Sequence, residues 1–429
     1  MEDLNNIYFN LLKQNVGKQK TPISLYEPNE NPNGNAIPYS IAEQSILGEF
    51  NVEEYSNIKK QNFGGSVFSL NIIKMQAGLG SSVERFDILE KFAGRSFLGA
   101  KGTDLFFDVG GKSKSISELQ LLQVSKLENE NFIKTITYTN LVNEETKNVV
   151  DADWEKKIDG ISYDQKFSSS KKLIRGQEIF QQKMPTIGED GSLTTERMAP
   201  AGHGFVGVSE LIKVFRSDNP DQLTVIGNGE DLNSTPELPL LQWIVETNTP
   251  IVMITTSKTK DDLKGGQISL IKDGDKNYLT IVEKAQAEES NQLNYFEELG
   301  LRPIDRKALF NTNVVVINEM ALKEKFNLLK DLSLDKFLQE VAPDVICNRK
   351  VQGNKIYTQL ESALGSVMLN LDTFFRREFS QKIVRIVNVD ETERKNFFIP
   401  IKNREDYEKL RRDFYVNSRN YRLLCNGVR

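Results

Sequence analysis

Between residues 68 and 317, short apolar and β-branched runs alternate with stretches of helical period, and little else fits that texture. Strands are expected at 68–75, 105–109, 132–139, 223–226, 250–255, 268–271, 278–283 and 313–317. Helices are expected between several of them, at 116–127, 208–215 and 237–246. Alternation of this kind buries a sheet between helical layers, which predicts an α/β three-layer sandwich with a mixed, mostly parallel central sheet. Ligands of such sheets sit beyond the carboxyl ends of the strands, so glycine-rich segments that follow strands are where chemistry is expected.

The flanks differ. Residues 1–60 read as a helix over 4–12, a polar Pro/Asn/Gly stretch near 28–38, and a second helical segment over 41–58, a small N-terminal appendage. Residues 61–412 form the expected catalytic domain, and 413–429 a short tail, with the basic helix 404–412 and the tail through Tyr421 packing back on the sheet.

Composition removes several function classes. A net charge of −5 argues against nucleic acid, which selects broad basic surfaces. No window approaches the roughly 18 apolar residues of a membrane span, and the acidic start Met1-Glu2-Asp3-Leu4 lacks a cationic, then apolar, leader. Two cysteines, Cys347 and Cys425, make no disulfide framework, so a cytoplasmic setting is expected. With a single histidine, any metal must be held by carboxylates and ligand oxygens, which favours Mg²⁺.

Three constellations then stand out. Ala77-Gly78-Leu79-Gly80-Ser81-Ser82 directly follows a predicted strand, and its N–H groups and hydroxyls suit phosphate oxygens. Lys101, in Gly99-Ala100-Lys101-Gly102, follows at loop distance, where an ammonium reaches either outer phosphates or solvent. The histidine, His203, lies in Pro200-Ala201-Gly202-His203-Gly204, where flanking glycines let backbone approach a flat ligand. By itself that pentapeptide also suits a surface loop.

Taken in order, the motifs resemble those of the eukaryotic-type UDP-sugar pyrophosphorylases, the family that includes the UTP–glucose-1-phosphate uridylyltransferases. The family's Gly-Gly-Leu-Gly-Thr-Ser-Met-Gly loop and its Pro-Lys-Ser lysine resemble Ala77 to Glu84 and Lys101. Its Gln-Asn-Lys-x-Pro and Pro-Pro-Gly-His-Gly motifs resemble Gln181-Gln182-Lys183-Met184-Pro185 and the histidine pentapeptide. Ser-Asn-x-Asp-Asn-Leu-Gly is similar to Gly227-Asn228-Gly229-Glu230-Asp231-Leu232-Asn233, and Lys264-Gly265-Gly266 and Glu283-Lys284-Ala285-Gln286 follow in turn. Phe310-Asn311-Thr312-Asn313 is almost unchanged from the family, and Gln359-Leu360-Glu361-Ser362-Ala363 and Phe398-Ile399-Pro400-Ile401-Lys402 complete nine ordered matches.

The resemblance implies a Rossmann-like, GT-A-like nucleotidyltransferase; as a departure from the family, the C-terminal β-helix of glucose-type members is expected to be absent. It implies a Mg²⁺-dependent uridylyltransferase that makes UDP-sugar and pyrophosphate from UTP and a hexose-1-phosphate, glucose-1-phosphate first, galactose- or N-acetylglucosamine-1-phosphate as alternatives. A weakened homologue that binds UTP or UDP-sugar without turnover is the alternative of another class. By the resemblance, Gly78, Leu79, Gly80, Ser81, Ser82, Gln181, Gly202 and Asn228 bind the nucleotide. His203, Asn228, Gly266, Glu283, Asn311 and Asn313 bind the sugar and its phosphate, Lys101, His203 and Lys402 serve catalysis, and Glu230 takes the metal aspartate's place. No nucleic-acid or membrane partner is implied, and the chain is expected to be a monomer or weak homo-oligomer.

Two departures bear on the site. Glutamate at 230 moves the carboxylate by more than about 1 Å relative to aspartate, and Mg²⁺ tolerates little distortion. Asp231 could replace it only with a rewired turn. Glu84 adds negative charge beside incoming phosphates, with Arg85 expected to offset it and Arg95 to fold over the longer loop.

Overall fold

The computed structural model describes residues 3–16, 24–27, 35–50, 52–80, 83–109, 111–127, 130–164, 173–263, 265–352 and 355–416. The fold is mixed α/β with mostly parallel central strands. Residues group into two compact units: unit A is Phe63–Gln182, Asp221–Gln242 and Glu393–Arg429, and unit B is Met1–Asn62, Lys183–Pro220 and Trp243–Thr392.

In unit A the strand Phe68–Met75 is buried along its whole length. It pairs in parallel with Gln222–Asn228 on one side and Ile133–Val142 on the other, and Leu173–Arg175 and Ile179–Phe180 continue from the latter. Both faces are covered, so its polar residues Ser69, Asn71 and Lys74 are buried with the apolar ones, and the Asn71 amide donates to Thr224 Oγ1 at 3.2 Å. The helix Ile116–Lys126 begins at Ser115, whose hydroxyl accepts from the Glu118 N–H at 3.2 Å. Its Leu119 and Leu122 pack with Val83, Phe107, Leu232, Ile401 and Tyr407 in one core cluster.

In unit B the strand Ile251–Ser257 runs parallel to Val384–Val389 and antiparallel to Leu309–Asn318. Gln267–Asp273 and Lys276–Val282 form an antiparallel hairpin beside it. The helices Gly204–Arg216 and Leu364–Phe379 cross closely at Gly207, where a Cβ would lie 2.9 Å from the Leu364 side chain. A separate four-stranded sheet contains Met184–Ile187, Leu193–Ala199, Val345–Gln352 and Lys355–Ser362.

Three expectations change. The 41–58 stretch is two single-turn helices, Gln44–Leu47 and Tyr55–Ile58, split by the strand Val52–Glu54, which pairs in parallel with Val384–Val389. A sheet edge supplied by distant residues overrides the local helical pattern there. Phe106–Val109 pairs with Lys112–Ser115 in a separate hairpin and is not part of the central sheet. The helix Arg404–Val416 rests on that hairpin, with Tyr407 donating to the Phe106 carbonyl at 2.6 Å and meeting the Phe107 ring edge-on. The tail beyond 416 lies outside the described residues. No described helix is long and apolar enough to cross a membrane.

Candidate active-site loops

The strands of unit A end level with one another: Met75 pairs with both Asn228 and Leu141. Past those ends the chains stay stitched together. Gln76 N–H donates to Leu141 at 2.8 Å, Gly229 N–H to Met75 at 3.0 Å, Gln181 N–H to Val142 at 2.9 Å, and the Asn143 amide to the Ala77 carbonyl. Gly78, Leu79, Gly80, Gln181, Asn228 and Glu230 therefore leave the sheet at its carboxyl edge, where open α/β sheets bind ligands. Ser81 and Ser82 lie outside the described residues.

Lys101 opens the short helix Lys101–Asp104 and reaches back over this edge. Its Nζ donates to the Ile401 carbonyl at 3.0 Å and to Glu230 Oε1 at 3.3 Å. Its stem lies on Gly80, whose φ is +56° and where a Cβ would fall 2.3 Å from Lys101 Cε. Gly102 has the same tightness: a Cβ there would sit 2.6 Å from the Gly229 carbonyl. Glycine at 80 thus lets the lysine stem lie on the loop, and glycine at 102 lets this turn approach the Gly229 carbonyl. Lys402 follows Ile401 directly, part-buried, with its N–H bound to Asp406 at 3.0 Å.

The neighbouring carboxylates divide their roles. Glu230 is 30% exposed at its side chain and faces Lys101, whereas Asp231 is fully buried. Asp231 Oδ1 accepts from the Asn233 N–H at 3.0 Å and the Ile399 N–H at 2.8 Å, which fastens the 398–402 segment to the turn. Burial raises its pKa, and burial lowers that of Lys74, which donates to Ser234 and Thr235 beneath the turn. Asp231 is therefore a structural anchor.

Arg85 does not offset Glu84, as its sequence position suggested. It is fully buried, while Glu84 is exposed and offers its carbonyl to Arg404 at 2.9 Å. The segment from 83 to 100 is also more than a loop, since it contains the helix Phe86–Ala93.

Unit B holds the other candidates. Gly202 has φ +81°, and His203 is the first half-turn residue before the helix Gly204–Arg216. The pentapeptide is pinned from two sides. Ser362 N–H donates to the Ala201 carbonyl at 3.1 Å and the Gln359 amide to Pro200 at 2.7 Å. From the first helix, Leu4–Asn15, the buried Tyr8 hydroxyl donates to Ala201 at 3.1 Å and contacts Ser362 Oγ, and its ring meets Phe205 edge-on.

Close contacts lead on from this loop. Gly202 abuts Glu361, where a Cβ would lie 3.3 Å from Glu361 Cβ. Glu283 lies against Gly266, where a Cβ would meet Glu283 Oε1 at 2.5 Å, and the Gly266 carbonyl accepts from Asn311 N–H at 2.9 Å. The Asn311 amide in turn donates to Asn313 Oδ1 at 2.9 Å, with Asn313 at φ +58° in a bulge of its strand. Gly266, Glu283, Asn311 and Asn313 thus form one contact chain, and Glu361, which abuts Gly202, acts on Glu283 through its charge, a residue that the motif contained but no role pointed to. Lys264 lies outside the described residues.

Burial, with Glu361 second, pushes the Glu283 pKa up from 4.5 to about 7. The folded protein therefore binds a proton that the unfolded chain releases between these values. Stability from this group is complete below pH 4.5 and is lost as pH rises through about 7, by on the order of 3 kcal/mol. Denaturant unfolding of Glu283→Gln from pH 5 to 8 is expected to show a flatter decline than the wild type. Parallel slopes would remove Glu283 from the titration.

Residues 143–429 match the family described as UTP–glucose-1-phosphate uridylyltransferase. The enzyme of that name from Encephalitozoon cuniculi is 30% identical over 216 residues, covering 49% of this chain and 38% of that protein. A probable UTP–glucose-1-phosphate uridylyltransferase of Schizosaccharomyces pombe is 24% identical over 357 residues, covering 81% and 59%. The chain thus matches less than two thirds of the length of these relatives. The crystal structure of a Trypanosoma brucei UDP-glucose phosphorylase superimposes with a TM-score of 0.62 at 19% identity, covering 95% of this chain and 74% of that one.

Proposed function

Since this chain belongs to the UTP–glucose-1-phosphate uridylyltransferase family, we propose that it converts UTP and glucose-1-phosphate to UDP-glucose and pyrophosphate. The observation that carries this reading is the cluster of Gly80, Lys101, Glu230 and the Ile401 carbonyl past the ends of three parallel strands. In this reading Gly78, Leu79, Gly80, Ser81, Ser82, Gln181 and Asn228 take the nucleotide, with Gly202 at its base. Gly266, Glu283, Asn311 and Asn313 take the hexose hydroxyls. The strands and flanking helices are read as the GT-A-like arrangement of nucleotidyltransferases, in a cytoplasmic monomer or weak homo-oligomer.

The chemistry asks little of the protein as acid or base. The sugar phosphate is already mostly dianionic near neutrality, and one of its oxygens attacks the α-phosphorus as the bond to the β-phosphate breaks. Two polyanions must be held in line, so orientation and charge neutralisation dominate. Lys101 and Lys402 supply positive charge, and His203 positions by hydrogen bonding.

Among the described residues no three acidic, cysteine or histidine side chains converge as a metal cage. The part-exposed Glu230 carboxylate fits a hard ion that takes its remaining ligands from phosphate oxygens and water, as Mg²⁺ does. Bound there, Mg²⁺ would neutralise charge on the phosphates.

Release of pyrophosphate from UTP, Mg²⁺ and a panel of hexose-1-phosphates tests the proposal, with glucose-1-phosphate expected to be fastest. Tight UTP binding without turnover on any sugar phosphate would sink the enzymatic reading. The two carboxylates separate in the same assay. Glu230→Gln is expected to raise the Mg²⁺ concentration for half-maximal rate about tenfold or more. Asp231→Asn, which keeps an acceptor for the Asn233 and Ile399 N–H groups, should leave that concentration unchanged, whereas Asp231→Ala should destabilise the fold by about 3 kcal/mol. A shifted Mg²⁺ dependence in Asp231→Asn would reverse the assignment.

A further inference from the structure

We infer that Arg85 is a positioning residue which turns the Leu79–Gly80 loop so that its N–H side faces the nucleotide; this rests on the proposed UTP-binding role of that loop. The guanidinium is wholly buried and its donors go to backbone carbonyls from two passes of the chain. Nη1 donates to Gly80 and Val83, each at 3.0 Å, and Nη2 to Leu79 and, at 3.0 Å, to Gly99. Nε donates to Asp104 Oδ2 at 2.8 Å.

The buried Asp104 completes the clamp. Its Oδ2 also accepts from the Gly99 N–H at 2.8 Å, and Oδ1 accepts from Thr103 at 2.9 Å and from Arg95. The other terminal nitrogen of Arg95 donates to the Phe97 carbonyl at 2.6 Å. Gly99 admits no side chain, because a Cβ would fall 2.7 Å from Val149.

The orienting effect follows from the peptide plane. A trans peptide points its N–H away from its C=O. Four carbonyls drawn toward one buried guanidinium therefore direct the N–H groups of Gly80, Glu84 and Ala100 away from it. Leu79 and Gly80 are part-exposed, so for Gly80 that direction is the open side, where an anion is met by a donor and not by a carbonyl. The guanidinium also lies directly beneath the loop, where its charge acts in a low dielectric. Charge-assisted bonds from a rigid planar fork hold such a geometry better than a single ammonium can.

The test compares wild type, Arg85→Lys and Asp104→Asn as intact folded chains. UTP binding is followed by calorimetry, hydrogen exchange over residues 77–85 is measured without nucleotide, and KM is determined for each substrate. Arg85→Lys is expected to speed exchange in this segment, to weaken UTP binding about tenfold or more, and to raise KM for UTP while KM for the sugar phosphate holds. Asp104→Asn should move the same readouts in the same direction, and it decides the matter if Arg85→Lys does not fold. A folded variant that melts earlier yet binds UTP as the wild type does would overturn the inference. Failure of the wild type to bind UTP would instead overturn the nucleotide reading of the loop, while unchanged exchange in both variants would overturn the clamp alone.

Discussion

Replacing Lys101 with methionine is expected to lower turnover by about 10²–10³-fold, roughly 3–4 kcal/mol of transition-state stabilisation, with the fold intact. Methionine keeps an apolar stem over Gly80 but removes the ammonium that joins Glu230 Oε1 to the Ile401 carbonyl. Two losses combine. Positive charge disappears where phosphates are proposed to meet, and the segment leading to Lys402 loses its tie to the strand ends. Rate measurements at saturating Mg²⁺ beside a thermal melt distinguish the cases. A Lys101→Met protein that melts normally and turns over at the wild-type rate would reduce Lys101 to a strut for the glycine loop.

Gly202→Ala is expected to cost about 3 kcal/mol of stability and to displace His203 along with it. At φ +81° alanine is strained, and its Cβ would stand 2.5 Å from the Ser362 carbonyl oxygen and 2.8 Å from the Ser362 nitrogen. Both atoms are backbone, so no rotamer change relieves the contact. Gly191→Ala supplies the comparison, since φ is +77° there and nothing lies within 4 Å of the added carbon. That variant should lose only the conformational part, about 1 kcal/mol. Equal losses from the two in denaturant unfolding would show that the Ser362 strand yields and that the loop is not rigidly seated.

Much of the frame was legible because strand and helix periods are local. The strand predicted at 68–75 is observed as Phe68–Met75, and the helix predicted at 116–127 runs Ile116–Lys126 from its serine cap. Asn311 and Asn313 were legible as a pair, and the bulge that lets Asn313 adopt φ +58° brings their side chains together. The stretch 41–58 was not legible, because a strand of three residues is specified by the edge it joins and hardly by its own composition.

The candidate site shows the same division. Ordered motifs located the glycine loop, Lys101, Glu230 and Lys402, each of which owes its place to a strand end or a helix start nearby in sequence. Adjacent carboxylates carry no such label. Glu230 and Asp231 differ by one position, yet one faces Lys101 and the other is sealed against the Ile399 N–H. Tyr8 under the histidine loop had no signal, as it belongs to no motif, and Arg85 under the glycine loop was read as a charge beside Glu84, a role that its burial removes.

By itself, then, the sequence determined the mixed α/β class with a mostly parallel sheet, the order of the motifs and the residues that leave the strand ends, since backbone period and glycine spacing are properties of neighbouring residues. Only the tertiary structure decided which acidic group stays accessible, which arginine is buried and what holds the histidine loop. Those outcomes depend on contacts such as Tyr8 to Ala201 and Asp231 to Ile399, between residues 193 and 168 positions apart, and burial sets the charge and orientation of a side chain only once such contacts have formed.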